Sequence, residues 1–205
     1  MADWKTAEQI MKKKAVIRSE IERKMPKAQA DALWRQATEK LAAILARYAD
    51  LPEGLRPHTD ARIFPSAAIY LTAKERLGQQ AAYAIIEDAA VELTGRYAKK
   101  LAGLMRVPGM PSLFIRIWDP LTRRAFGPNN GFKNGFYPKE KGAFRMDVLA
   151  CPYFRYFTEL GCPELTKVFC ENDDRMYSNL PGIVFVRTGT LGKGAQRCDF
   201  CIRKA

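Results

Sequence analysis

Apolar positions in the first half of the chain return every three or four residues, with polar residues filling the gaps. Over residues 6–25, Ile10, Ile17 and Ile21 share one helical face, while Lys12, Lys13 and Lys14 mostly point elsewhere. Pro26 punctuates that helix. The stripe Leu33, Ala37, Leu41, Ile44, Leu45 and Tyr48 predicts a second helix over 27–49. The Pro- and Gly-containing segment from Leu51 to Asp60 predicts a loop. A short helix is expected over 66–76. A longer one is expected over 80–106, where Tyr83, Ile86, Leu93, Tyr97, Leu101 and Leu104 keep near-helical spacing before Pro108 and Pro111.

The pattern changes after that. Ser112–Trp118 is short, branched and aromatic, and fits a strand or a buried helix turn equally well. Phe126–Pro138 is rich in Gly and Asn and carries several aromatics, as a hairpin tip or a lid over a site would. Its glycines and its apolar surface lead us to expect a lid. Ala143–Ala150 alternates like a strand. Helical stretches follow over 153–160 and 163–179, then a strand over 182–189, a turn, and a last strand in "RCDFCIRK". Several helices followed by strand–helix–helix–strand–turn–strand predict an α+β fold, with N-terminal helices packed with a small antiparallel sheet. A length of 205 residues suits a single domain, 1–205, mainly helical over 1–111 and α+β over 112–205.

With 47% apolar residues the composition is that of an ordinary globular chain, and no apolar run reaches the roughly 20 residues that span a bilayer. The stretch "MADWKTAEQIMKKK" is polar, without the apolar run of a secretory signal, so a cytoplasmic location is expected and no membrane partner. The net charge of +12 raises nucleic acid as a partner. Its distribution argues against one: +6 over 1–115, +4 over 116–150 and +2 over 151–205, with no basic tail and no nucleic-acid-binding motif. A diffuse positive field equally attracts a small-molecule carboxylate. Nothing in the pattern decides between a monomer and a homo-oligomer.

Three of the five cysteines lie between Cys151 and Cys170, and Cys198 and Cys201 follow near the end. In a reducing compartment they are expected as core residues, ligands or nucleophiles rather than disulfides. Cys151 stands where a strand ends and a helix begins, with Pro152 at the first helical position. Backbone N–H groups there lower a thiol's pKa. Cys170, Asp173 and Asp174 share one helical face, offering a sulfur beside two carboxylates. On the last strand Cys198 and Phe200 point one way, and Asp199 and Cys201 the other. Cys162 and Cys201 are best read as core cysteines. His58, the single histidine, is either an exposed loop residue or a proton carrier.

The C-terminal third carries "CPYFRYFTELGCPEL", "FCENDD" and "VFVRTGTLGKGAQRCDFCI". In order and spacing these stretches resemble the L-2-amino-thiazoline-4-carboxylic acid hydrolase family over about residues 144–203, with a looser echo in "IFPSAAIYLTAKERLG". The resemblance implies ring opening by water of a small carbon–nitrogen–sulfur heterocycle. It points to Cys151, Cys170, Asp173, Gly194, Cys198, Asp199 and Phe200. Such hydrolysis needs an attacking group, a proton shuttle and a cationic grip on the carboxylate. For these the chain offers Cys151 or Cys170, then Asp173 or Asp174, then Arg155, Arg187 or Arg145, with Asp199 as a further polar contact to substrate or a cap on local backbone. The alternative is a sensor or binding module in which Cys151, Cys170 and Cys198 hold a divalent metal or an iron–sulfur cluster. The sequence leaves the cofactor open between none and these.

Overall fold

The computed structural model describes residues 2–205, with side chains from Trp4 onward. The fold is α+β, and the described residues divide into two compact units. One runs to Glu92 and takes in Tyr156–Leu165; the other comprises Leu93–Arg155 and Thr166–Ala205.

The first unit is helical. Its spine is α3 (Lys27–Arg47), whose Ala30, Leu33, Ala37, Leu41, Ile44 and Leu45 are buried at the spacing the sequence shows. Against it pack α1 (Ala2–Lys12), α2 (Ala15–Lys24) and α5 (Phe64–Leu77). Residues 6–25, expected as one helix, break at Lys13-Lys14, although Ile10, Ile17 and Ile21 still line up. Lys14 leaves the helical path and its ammonium donates to the Ala61 carbonyl. The Leu51–Asp60 loop is in fact tightly wound. A 3-10 turn over Glu53–Leu55 leads into α4 (Arg56–His58) and a π-turn over Thr59–Ile63. Pro52 and Pro57 sit where helical turns begin, which proline tolerates, so the prolines that signalled a loop mark starts instead. His58 is 7% exposed, inside this unit, rather than on a surface loop. Tyr48, Phe64 and Tyr156 form a ring cluster at centroid distances of 5.0–5.8 Å.

The second unit holds the sheet. Four antiparallel strands run in the order β1-β2-β4-β3: β1 (Lys133–Phe136), β2 (Ala143–Ala150), β4 (Cys198–Lys204) and β3 (Ile183–Val186). Register places Phe144 opposite Ile202, Met146 opposite Phe200 and Val148 opposite Cys198, so one face of the sheet is continuous apolar surface. Two helices supply aromatics to it: Tyr177 from α9 (Leu165–Tyr177) meets Phe185 and Phe200, and Trp118 from α7 (Met110–Ala125) meets Tyr177 at 5.1 Å. The ambiguous Ser112–Trp118 run is therefore the interior of a 16-residue helix, begun by Pro111 in its first turn. The remaining helices, α6 (Gln79–Met105) and α8 (Pro152–Glu159), fall where periodicity placed them.

The Phe126–Pro138 segment differs from the expected lid. A 3-10 turn over Pro128–Asn130 leads directly into β1, which is paired with β2. Its aromatics already have partners: Phe126 packs on Phe132 at 5.2 Å, and Phe136 lies 4.2 Å from the Arg123 guanidinium. A strand bound into a ladder has little freedom to swing, so the Gly-Asn composition here serves the hairpin rather than a lid.

Candidate active site

Three elements of the second unit converge on Cys170. Helix α9 presents it one turn beyond Thr166. Strand β4 starts at Cys198. The link from β3 to β4 brings in Thr190, Leu191 and Gly192, of which Leu191–Lys193 form a single 3-10 turn ended by Gly194 at φ +86°. The thiol of Cys198 donates to the sulfur of Cys170, and the Leu191 N–H donates to Cys198 Sγ at 3.2 Å. Gly192 lies so close that an added Cβ would stand 2.9 Å from Cys170 Sγ and 2.9 Å from Thr166 Cγ2. Only glycine lets the turn press onto α9 there.

These contacts set the chemistry of Cys170. The Cys198 hydrogen bond stabilises its thiolate, burial opposes this, and the Thr190 hydroxyl and Gly192 N–H add to the stabilisation, so its pKa falls to about 7 despite the charge of Asp173. Thr190 is 2% exposed and Thr166 1% exposed, and neither hydroxyl has a hydrogen-bond partner, so Thr190 acts on the thiolate as a nearby dipole. The same proton sharing, together with burial, pushes the Cys198 thiol up, which keeps it a donor. Cys170 is half-buried. Replacing Gly192 with Ala is expected to lift the turn from α9 at a cost of about 1–3 kcal/mol. It should also slow Cys170 alkylation near neutral pH, measured with iodoacetamide against unfolded protein as reference.

Cys151 lies near enough for the charges of Cys170 and Asp173 to act on it, and it acts in turn on Cys198. The expected helix-start N–H groups are there, from Phe154 and Tyr153. Burial nevertheless dominates them and pushes the Cys151 thiol up to about 12. Cys162 belongs to the first unit, fully buried, its thiol pushed up to about 12 by burial and by Glu164. Cys201 lies on the sheet face opposite Cys198. All five cysteines are free thiols. Among the described residues no group of three or more His, Cys, Asp or Glu side chains is arranged to hold a metal ion.

Arg187 is turned to the helix rather than outward. Its side chain is 4% exposed; Nη1 donates to Asp173 at 3.0 Å, and Nη2 donates to Asp174 and to the Cys170 carbonyl, both at 2.6 Å. Burial works against its charge, but Asp173 and Asp174 outweigh this and raise its pKa. Arg155 is exposed on α8, one turn beyond Cys151, and Arg145 is exposed on β2 near Glu140. Asp199 organises the turn: it accepts from the Thr188 N–H and hydroxyl and from the Gly189 N–H at 2.6–3.0 Å. Burial raises the Asp199 pKa, but these bonds outweigh it and hold the carboxyl below its usual value. The stability it gives is therefore full above the ordinary carboxylate range and is lost as pH falls through the lowered value. Asp199→Ala is expected to cost about 1 kcal/mol, given its partial exposure, read as a lower midpoint of denaturant unfolding at pH 7 and no difference at low pH. Phe200 is core, packed on Phe185 at 4.8 Å.

The sequence pointed to Cys170, Cys198 and Asp173 but did not mark Gly192 or Thr190 as site residues. The signal for both was the "RTGTLGKG" stretch, where two threonines and three glycines precede a cysteine strand. No helix among the described residues is long and apolar enough to cross a membrane. Neither a curated protein nor a solved structure matches the chain. The family described as L-2-amino-thiazoline-4-carboxylic acid hydrolase matches residues 56–202, which include α9, the whole Thr190–Gly192 turn and Cys198. On that match, with the cysteine site inside it, the chain belongs to the L-2-amino-thiazoline-4-carboxylic acid hydrolase family.

Proposed function

We propose that the protein is a hydrolase that opens a small cyclic amidine-like carboxylate, such as L-2-amino-thiazoline-4-carboxylate, with Cys170 as nucleophile. One observation carries this reading: the half-buried Cys170 thiol sits against the Gly192 turn that also binds Cys198 Sγ, surroundings that lower its pKa to about 7. In the proposed course, the Cys170 thiolate adds to the ring carbon between nitrogen and sulfur. The carbon–sulfur ring bond then breaks, because a thiolate leaves more readily than an amine anion. Cys198, kept protonated, gives its proton to the departing sulfur. Water adds to the carbon of the Cys170 adduct and expels the Cys170 thiolate, so the product is the ring-opened urea bearing a free thiol, and one water is consumed. Asp173, whose charge reaches both Cys170 and Cys151, receives the cationic amidine. For the substrate carboxylate we propose Arg155, which stands exposed on α8 one turn beyond Cys151; the Arg187 fork holds Asp173 and Asp174. Asp174 and Asp199 then act through Arg187 and the turn rather than on substrate, and Cys151 lines the site as a neutral thiol.

The test is direct. Purified protein incubated with L-2-amino-thiazoline-4-carboxylate should release one thiol per ring opened, followed with a thiol reagent. Turnover at low substrate should rise with pH through about 7 and level off above it, since the thiolate is the reacting form. Absence of thiol release between about pH 6 and 9 would overturn the substrate assignment.

A further inference from the structure

We propose that Cys170 and Cys198 together form a modification site, a dithiol that a hydroperoxide closes to a reversible disulfide. The two sulfurs come from α9 and β4 and meet at one turn: Cys198 Sγ accepts from the Leu191 N–H, and the next residue, Gly192, lies against Cys170 Sγ, in keeping with the proton the two thiols share. Closing the bridge requires them to approach to about 2 Å, a short movement for side chains in contact. Two features place the pair: Leu191 N–H donates to Cys198 Sγ at 3.2 Å, and Gly192 packs so closely on Cys170 that an added Cβ would stand 2.9 Å from its Sγ. Both residues are half-buried, so a small peroxide reaches them, whereas Cys162 is fully buried and Cys201 faces the other side of β4.

The chemistry balances. The Cys170 thiolate attacks the peroxide O–O bond and becomes a sulfenic acid, and the peroxide is reduced, leaving as water or an alcohol. The Cys198 sulfur then displaces the sulfenic hydroxyl, which takes the Cys198 proton and leaves as water. The product is a disulfide that ties the 190–194 turn to α9 and removes the reactive thiolate. The Cys151 sulfur is instead held by the Tyr153 and Phe154 N–H groups at the start of α8, so Cys198 is the resolving thiol.

The proposal concerns the thiols themselves and goes beyond the hydrolase reading, so its readout is mass rather than turnover. The full-length protein is treated with hydrogen peroxide, blocked with iodoacetamide and mapped by peptide mass spectrometry. The expected result is a Cys170–Cys198 linked peptide as the main product, restored to two alkylated thiols by dithiothreitol. In Cys198→Ser, Cys170 should instead collect two or more oxygens in a form that dithiothreitol does not reverse. Wild-type Cys170 that over-oxidises while Cys198 stays reduced, or that pairs with Cys151 or with a second chain, would overturn the proposal. So would a pair that stays unmodified under peroxide that oxidises the unfolded chain, and this comparison needs no variant.

Discussion

Cys170→Ser is expected to reduce thiazoline turnover by at least about a thousandfold while leaving the fold intact, because a serine hydroxyl in the same place stays protonated at neutral pH. The hydrogen bonds from Cys198 and Gly192 that bring a thiol to about 7 act on a hydroxyl whose own acidity is many orders of magnitude weaker. The side chain shrinks only slightly, so thermal unfolding should move by a few degrees at most. Cys162→Ser makes the informative contrast. That thiol is fully buried in the first unit, and burial pushes it up to about 12. A hydroxyl there should cost about 1–2 kcal/mol for an unpaired polar group, and turnover per folded molecule should not change. If both variants lost activity in proportion to their loss of stability, Cys170 would be a core cysteine and the nucleophile assignment would fail.

The helical half was legible where one stripe ran long enough. In α3 six apolar positions repeat over 21 residues, and every residue named from that stripe within the helix is buried. The strands β2 and β4 were legible by alternation, since one face meets aromatics and the other meets Asp147, Asp199 and Arg145. Ser112–Trp118 was not, because seven residues, five of them branched or aromatic, carry no period of their own. What decides it is the continuation to Ala125, where Pro120 looks like a stop but is tolerated inside the helix. Phe126–Pro138 misled for a related reason: Gly and Asn mark turns, yet residues 133–136 are held in a strand by the ladder of β2, a tertiary cause.

The site was legible as a set of residues but not as a set of roles. Helical spacing put Cys170 beside Asp173 and Asp174, and the structure keeps them on one face of α9. The order of reactivity among the thiols was not readable, because it depends on burial. Cys151 has the helix-start N–H groups that sequence reasoning assigns it, but it is buried enough to be pushed up to about 12. Cys170 has no helix start near it. Its thiolate is stabilised by Cys198, 28 positions later, and by a turn whose fit requires Gly192. Contacts of that range leave no local pattern.

Arg187→Met is expected to be the most destabilising single change at the site, by about 2–4 kcal/mol. Breaking a buried ion pair by removing one partner costs about 3–5 kcal/mol when the remaining charge stays buried. Here the carboxylates of Asp173 and Asp174 are 43% and 40% exposed and can recover water, which lowers the figure. Three further losses keep it substantial. The Cys170 carbonyl gives up its guanidinium donor at 2.6 Å. The Phe185 ring loses the guanidinium that lies 5.5 Å from its centroid. Two adjacent carboxylates are left uncompensated near the C-terminal end of α9, where the helix dipole disfavours negative charge. Arg187→Lys should recover only part of the loss, since a single ammonium cannot hold two carboxylates and a carbonyl in a planar fork. Adding Asp173→Asn and Asp174→Asn to Arg187→Met should restore part of the unfolding free energy by removing the repulsion. The same Arg187→Met change takes a positive charge away from the Cys170 sulfur, which interacts with it. The pH midpoint of Cys170 alkylation should therefore move upward, and with it the rise of turnover with pH. A variant that lost stability without moving that midpoint would show that Arg187 braces α9 but takes no part in holding the thiolate.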